Sequence, residues 1–352
     1  MELNSIIFSL ILLLFSYFLS KYSLLILNKS NRNFLIDNQF DKPQAFHDKP
    51  TYRLGGLTIF LSLALLFFYS YTLLTIFYIE LISFCTLFFI LGFVDDLKIN
   101  IKPKFRLILM IILLLALVIY NEFKIERISL EYLDHLMKID IFAIFFVSFC
   151  FLFIINGSNL IDGFNGLLGL HSLIIFVVLM FINFSNENYD LAYILFNIGL
   201  ITIIFISFNF PYSQMFLGDG GAYLLGTLIS VSSIMTNNLY PAISSFFFCI
   251  LLFYLFFEVF FSFFRKIFFV HQNPLLPDNK HLHMLLYKFL LKKSKKKLKT
   301  NYKVSVYINL IYLLLITPAI FFMDNGQFCR IYFFFLLIIY TYFYRKLYFA
   351  VK

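Results

Sequence analysis

The chain has 352 residues, of which 61% are hydrophobic and only 13% charged; a soluble domain is about a quarter charged, so water is excluded as the main solvent. Lys and Arg number 28 against 19 Asp and Glu, a formal net charge of +9, but the basic residues sit in a few loops between apolar runs, which is how membrane orientation is encoded, and nucleic acid is excluded as the partner. Cys85, Cys150, Cys249 and Cys329 are isolated in apolar segments, a pattern that argues against a disulfide framework or a thiolate metal site and marks them as small core residues.

Apolar stretches recur down the whole chain without the alternation of a β-barrel. They predict an all-α, polytopic membrane helix bundle forming a single domain over 1–352, with about eleven transmembrane helices, or ten. The spans fall at 4–27, 54–71, 75–94, 105–121, 140–156, 166–184, 190–208, 220–237, 241–262, 304–323 and 328–345. The first lacks a basic leader and a small-residue cleavage site near Leu27, and reads as a retained helix. The region from Leu57 to Val94 is about 38 residues, roughly 57 Å as helix against a hydrocarbon core of about 30 Å, so it folds back once, near Tyr69 to Thr75.

Loops at 28–53, 95–104 and 263–303 and the tail from Arg345 hold most of the basic residues, whereas the alternate loops hold Lys124, Arg127, Lys138 and Arg330. The positive-inside rule then places the amino terminus outside the cell and the carboxyl terminus inside, with loops 157–165 and 209–219 also cytoplasmic.

Four polar stretches and one loop interrupt the apolar pattern on that predicted face. The first loop carries His47, Lys49, Arg53, Gly55 and Gly56, cations and glycines suited to phosphate. At the end of the third span, Asp95 and Asp96 are either a solvated helix end or a site for a divalent cation, in which one carboxylate can also act as a base. After the fifth span, Asn156, Asn159, Asp162 and Asn165 recur at intervals of three, a polar stripe if helical, among glycines that let backbone approach a ligand. Asn209, then Phe216, Gly218, Asp219, Gly220 and Gly221, read as a phosphate and metal corner or as an aspartate capping the eighth span. His281 and His283 cannot share a helix face but can share an extended one; they read as a zinc pair or as imidazoles that bind pyrophosphate or orient an acid. The run Lys292 to Lys299 is a cytoplasmic anchor or a lure for an anionic lipid.

In order, His47-Asp-Lys-Pro-Thr-Tyr-Arg53-Leu-Gly55-Gly56, Asp95-Asp96 followed by Pro103, Asn159-Leu-Ile-Asp162-Gly-Phe-Asn165-Gly166, Phe216-Leu-Gly-Asp219 and His281-Leu-His283 resemble the polyprenyl-phosphate N-acetylhexosamine-1-phosphate transferase family. That family includes the undecaprenyl-phosphate GlcNAc-1-phosphate and the phospho-MurNAc-pentapeptide transferases, and the likeness is greater to the former. The resemblance implies transfer of a sugar-1-phosphate from a UDP-sugar to undecaprenyl or other polyprenyl phosphate with release of UMP, the first step of a cell-envelope glycan, in the bacterial cytoplasmic (inner) membrane. It also implies Mg²⁺, with Mn²⁺ as a substitute, and leaves room for a homodimer. By the same resemblance Asp219 and Asp95 hold the metal, Asp95, Asp96, Asp162, His281 and His283 are catalytic, and His47, Lys49, Arg53, Asn159, Asn165, Asn209 and Phe216 bind substrate, Phe216 by stacking on uracil.

Asn165 stands where the family often has a second aspartate and Met284 where it has a further histidine, and Met cannot replace an imidazole. The competing function is a transporter or flippase of lipid-linked sugars. It would call for polar groups near the membrane midplane and an internal repeat, whereas the polar groups here cluster at one face.

Overall fold

The computed structural model describes residues 3–30, 35–38, 50–99, 101–271, 273, 278–294 and 296–352. Helix α1 (Leu3–Ser30) is followed by the short strands β1 (Ile36–Asp37) and β2 (Thr51–Arg53), and α2 (Gly55–Leu73) turns at 74–78 into α3 (Ile79–Asp96). This is the expected fold-back, a few residues later than predicted. Pro103, whose fixed φ suits a first helical turn, opens α4 (Pro103–Tyr120); a loop with the small helix α5 (Glu131–Met137) leads to α6 (Asp140–Ile161), α7 (Leu167–Ser185) and α8 (Tyr189–Asn209). Strand β3 (Met215–Phe216) precedes α9 (Gly218–Leu239), and α10 (Ser245–Leu251) and α11 (Phe253–Phe264) meet at 73° around Leu252. A π-helical turn at Arg265–Val270 ends this pair, and α12 (Leu282–Ser294), α13 (Lys297–Phe321) and α14 (Gly326–Val351) complete the chain.

Each of the eleven predicted spans therefore has its helix, but fewer meet the requirement for crossing a bilayer. Among the described residues eight helices are long and apolar enough, or nine if α10 and α11 form one span. The two that fall short are α3, which carries Glu80, Asp95 and Asp96, and α9, rich in Gly, Ser, Thr and Asn. Both are packed inward. Residues Ala222 to Ser233 of α9 are all buried, so this helix is solvated by its neighbours. Lipid-facing apolar residues lie on the outer helices: Ile11, Leu14 and Ile26 on α1, Ile108 and Ile112 on α4, Ile331 and Ile338 on α14. Cys85 and Cys329 are buried as expected, but Cys249 is exposed on α10, since a thiol costs little against hydrocarbon.

Helix α1 is tied into the bundle by polar contacts, with Ser16 Oγ donating to Ser62 Oγ at 2.9 Å and Tyr193 Oη donating to the Ser5 carbonyl at 3.2 Å. The all-α expectation holds for the architecture, with one addition that periodicity could not reveal. Strands β1, β2 and β3 form a small sheet in that order, β1 antiparallel and β2 parallel to its neighbour, with Asp37 opposite Thr51 and Arg53 opposite Phe216.

Glycine sets how closely α9 is approached. A Cβ on Gly92 of α3 would stand 2.5 Å from the Asp219 carbonyl oxygen, inside any real contact distance, whereas one on Gly199 of α8 would first meet Leu173 Cδ1 at 3.7 Å. Gly92→Ala is expected to cost about 1–3 kcal/mol by overpacking and to lower the thermal midpoint in detergent, while Gly199→Ala leaves it unchanged. Equal midpoints for the two variants would mean that the α3 and α9 backbones are not in contact.

Candidate active site

The cleft lies at the end of the bundle where α3 ends and α9 begins. Ile36, Asp37, Arg53, Asp95, Asp96, Lys98, Ile99, Ile101, Arg106 and Asp219 line a cavity of about 320 Å³. Five separate segments meet there, because the turns that follow or precede their apolar helices all emerge on one side.

Asp96 organises it. Its side chain is only 2% exposed; Oδ1 accepts the amide of Asp219 at 2.9 Å and Oδ2 that of Gly220 at 2.8 Å. Those are first-turn amides of α9, which have no partner within their own helix, and Leu217 at the cap position offers no side-chain oxygen. The aspartate that caps α9 is therefore Asp96 of α3, reaching across, and not Asp219 as the capping alternative had it; Asp219 is left to face the cleft. Gly218 makes this approach workable: its φ is +78°, and a Cβ there would lie 2.6 Å from Asp96 Oδ2.

Arg53, at the end of β2, donates to Asp37 Oδ2 from Nη2 at 2.7 Å and to Asp96 Oδ1 from Nη1 at 3.3 Å. Burial opposes its charge, but Asp219, Asp37 and Asp96 together hold its pKa above the ordinary guanidinium value, so it remains cationic. Arg106, one turn into α4, forms a close ion pair with Asp95 Oδ2 and reaches Asp219 Oδ2 at 3.5 Å from the same nitrogen. Asp219 is 29% exposed, and its Oδ1 accepts from Asn159 Nδ2 at 2.8 Å.

Asp162 follows α6 and makes no hydrogen bond or ion pair among the described residues. Burial, and then the neighbouring charge of Asp219, push its carboxyl pKa well above the usual range, with Arg53 opposing. The predicted stripe of four polar residues divides: Asn159 bonds to Asp219 and Asp162 lies within electrostatic reach of Asp219 and Arg53, while Asn156 Nδ2 folds back onto the Leu152 carbonyl. Asn165 is buried, donating from Nδ2 to the Pro211 carbonyl and from its backbone amide to Asn301 Oδ1. Asn209 Oδ1 likewise accepts the Gly166 amide, and its Nδ2 donates to the Met215 carbonyl. The amides of Asn165 and Asn209 thus clamp the two loops behind the cleft. Phe216 ends β3 beside Arg53. His47 and Lys49 lie outside the described residues.

His281 and His283 form a second group. His281 precedes α12 and His283 is in its first turn, so the chain bends between them; the rings lie parallel within 5° at 5.6 Å. Both present Nδ1 to Glu258 of α11, at 3.1 Å for His281 and 3.9 Å for His283. Burial lowers the pKa of His283 to about 4, against the pull of Glu258, so it is neutral. Among the described residues no group of three or more His, Cys, Asp or Glu has metal-binding geometry, and the contacts made here are polar ones to Glu258. Phe164, in the turn after Asp162, meets the His283 ring edge-on at 5.6 Å and links the two groups. Met284 is buried in the core.

Sequence reasoning missed Asp37, Arg106 and Glu258. Glu258 had a signal: it is the one acid inside the apolar run 241–262, and an ionisable residue in such a run is a functional candidate. Arg106 was hidden at a span boundary, and Asp37 depends on the sheet.

A model of the family described as glycosyl transferase family 4 matches residues 78–237. The undecaprenyl-phosphate alpha-N-acetylglucosaminyl 1-phosphate transferase of Thermotoga maritima is 30% identical over 253 residues, 69% of this chain and 74% of that protein. The chain belongs to glycosyl transferase family 4. A second relative, the phospho-N-acetylmuramoyl-pentapeptide-transferase of Dictyoglomus thermophilum, is 30% identical over 200 residues, 54% of this chain and 61% of that protein. The matched part of this family 4 chain contains Asp95, Asp96, Arg106, Asn159, Asp162 and Asp219; the histidine group lies beyond it.

The geometry separates two aspartates that look alike in sequence. Asp96→Asn replaces an acceptor by a donor opposite an amide and is expected to lower stability by about 1–3 kcal/mol, whereas Asp219→Asn keeps a side chain that can still accept from Asn159. Thermal melts in detergent should show a drop for the first and none for the second; a larger drop for Asp219→Asn would reverse the roles assigned to them.

Proposed function

We propose that this multi-pass membrane protein transfers a sugar-1-phosphate, most simply an N-acetylhexosamine-1-phosphate, from a UDP-sugar to a polyprenyl phosphate in the bacterial cytoplasmic membrane. The observation that carries the reading is the convergence of Asp95 and Asp219 on one cationic nitrogen of Arg106, in a cleft with a second arginine, at the end of a lipid-facing bundle. The names of the family 4 relatives supply the acceptor and the class of group transferred.

An oxygen of the lipid phosphate attacks the β-phosphorus of the nucleotide sugar. The new P–O bond forms as the bond from that phosphorus to the bridging oxygen breaks, and UMP leaves with the electron pair. Catalysis of such a transfer is mainly positioning and charge neutralisation. Arg53 and Arg106 are cations that would meet the diphosphate, and Asp162, with no hydrogen bond or ion pair among the described residues and more basic than an ordinary aspartate, suits keeping the attacking phosphate ionised. In this reading Phe216, paired in the sheet beside Arg53, stacks on the base, and His281 and His283 act on the pyrophosphate.

The donors fit a hard divalent cation: two carboxylate oxygens, of Asp95 and Asp219, already share one positive partner in Arg106. This is the partial sphere that Mg²⁺ completes with substrate phosphate and water. Held by Asp219 and Asp95, Mg²⁺, or Mn²⁺ in its place, would neutralise charge developing on the diphosphate.

Purified protein with Mg²⁺ and undecaprenyl phosphate, offered a panel of UDP-sugars, is expected to release UMP with one or a few of them, and Asp219→Asn to lose at least about 100-fold in rate. Absence of UMP release across the panel, in a preparation that is folded, would overturn the assignment.

The reading also requires the cleft to face the cytoplasm, where nucleotide sugars are. In a variant lacking the four cysteines, Lys296→Cys should be shielded from an impermeant thiol reagent in intact cells, and Ser185→Cys should react. Both positions are exposed, and the lysines near 296 hold their loop to the inner leaflet by about 1 kcal/mol each. Labelling of position 296 from outside would put the site in the wrong compartment.

A further inference from the structure

Glu258 is 1% exposed, in the apolar helix α11. It is bound from three other directions. His281 donates its Nδ1 proton to Oε2 at 3.1 Å, the Leu282 amide donates to Oε1 at 3.2 Å, and Tyr340 of α14 donates its hydroxyl to Oε1 at 2.8 Å. The neighbouring imidazole is fixed as well, since Tyr254 of α11 and His283 Nδ1 are 3.2 Å apart. Tyr344, one turn further along α14, donates to the Lys280 carbonyl at 2.9 Å and steadies the backbone just before His281.

An ionised carboxylate is an acceptor only. It holds the hydrogen of His281 on Nδ1 and turns Nε2 away from itself. The parallel ring of His283 presents the same edge to the same carboxylate, and its Nε2 is buried with no hydrogen-bond partner among the described residues. A buried carboxylate in an apolar helix costs several kcal/mol unless fully bonded. As a mere staple between α11 and α14, a neutral amide or a pair of apolar side chains would serve at less cost.

We infer that Glu258, backed by Tyr340, is a positioning residue for the transfer reaction: it sets the tautomer and orientation of His281 so that Nε2 of the imidazole pair meets the diphosphate of the donor. The inference rests on the function proposed above. It adds that α14 reaches the reaction through the hydroxyl of Tyr340, with Tyr344 steadying the backbone before His281, and that Glu258, His281, His283 and Tyr340 lie beyond the part of the chain matched by the family model.

The test combines kinetics with a signal that does not need turnover. Glu258→Gln is expected to lower kcat by about 10- to 100-fold, the size usual for removing a group that orients a functional imidazole, with KM for the UDP-sugar changed less than about threefold. Glu258→Asp, which keeps the acceptor, should recover part of the loss. In a His281→Gln background, Glu258→Gln should add less than about twofold, because the two act as a unit. Independently, ¹⁵N spectra of histidine-labelled protein, with six histidines in all, should show one Nδ1–H resonance moved in Glu258→Gln and retained in Glu258→Asp. Should Glu258→Gln fail to fold, Tyr340→Phe, which leaves the charge in place, takes its part with a loss of about threefold to tenfold that also vanishes in the His281→Gln background. Losses that multiply across the two sites, or wild-type rates in Glu258→Gln, would overturn the inference. A moved resonance together with no turnover by the wild type would leave the positioning intact and overturn the transferase reading instead.

Discussion

The first amides of α9 point at the carboxylate of another helix, and the site follows from that junction. Without Asp96, the amides of Asp219 and Gly220 would be sealed against α3 with no acceptor, at a cost of about 1–3 kcal/mol each. With it, the positive end of α9 meets a negative charge, a favourable arrangement in a partly buried setting. The same carboxylate draws Arg53 in, Arg53 draws in Asp37, and the sheet that carries both aligns Phe216. Asp219 is thereby relieved of capping duty and remains the exposed member of the cluster.

A consequence is that the two acids of the Asp95-Asp96 pair cannot be equivalent. They follow one another on a helix, so their side chains diverge by about 100°; one turns under α9 and the other turns to Arg106. Adjacent carboxylates suggest shared ligation when read as letters. On this helix they suggest a division of labour, with Asp96 building the corner and Asp95 working with Asp219 across it. The histidine group is organised on the same plan, a buried acid of one helix fixing functional side chains on another element.

Much of this architecture was legible because the bilayer enforces it. A backbone in hydrocarbon has to be helical or closed into a barrel, so apolar length alone found the helices of the bundle, most boundaries within a few residues, although it read the broken pair α10 and α11 as one. Asp95, Asp96, Asn159, Asp162 and Asp219 could be picked out as polar residues breaking apolar runs, and they do assemble. What sequence could not supply was partnership. Nothing local says that Asn165 and Asn209 spend their amides on neighbouring loops, that Arg106 turns back from α4 to Asp95, or that residues 36–37, 51–53 and 215–216 pair as strands, since each depends on segments far apart in the chain. Glu258 was a different kind of omission: its charge was visible within the apolar run, and only its partners on α12 and α14 explain how it is tolerated there.

The shortfall from eleven apolar spans to nine reflects the same physics. Hydropathy records what a helix would cost in lipid, and α9 touches almost none. Its glycines, serines and threonines are tolerated because α2, α3, α6 and α7 or its own backbone provide the surroundings: Thr227 and Ser230, for example, return their hydroxyls to the carbonyls four residues back. Small residues in turn let α2 and α3 come close enough for Asp96 to reach the amides of the first turn. A more apolar α9 would score better as a span, but its larger side chains would hold α3 away. The low hydropathy of this helix is therefore a requirement of the site, and the ring of apolar helices around it is what makes that composition affordable in a membrane.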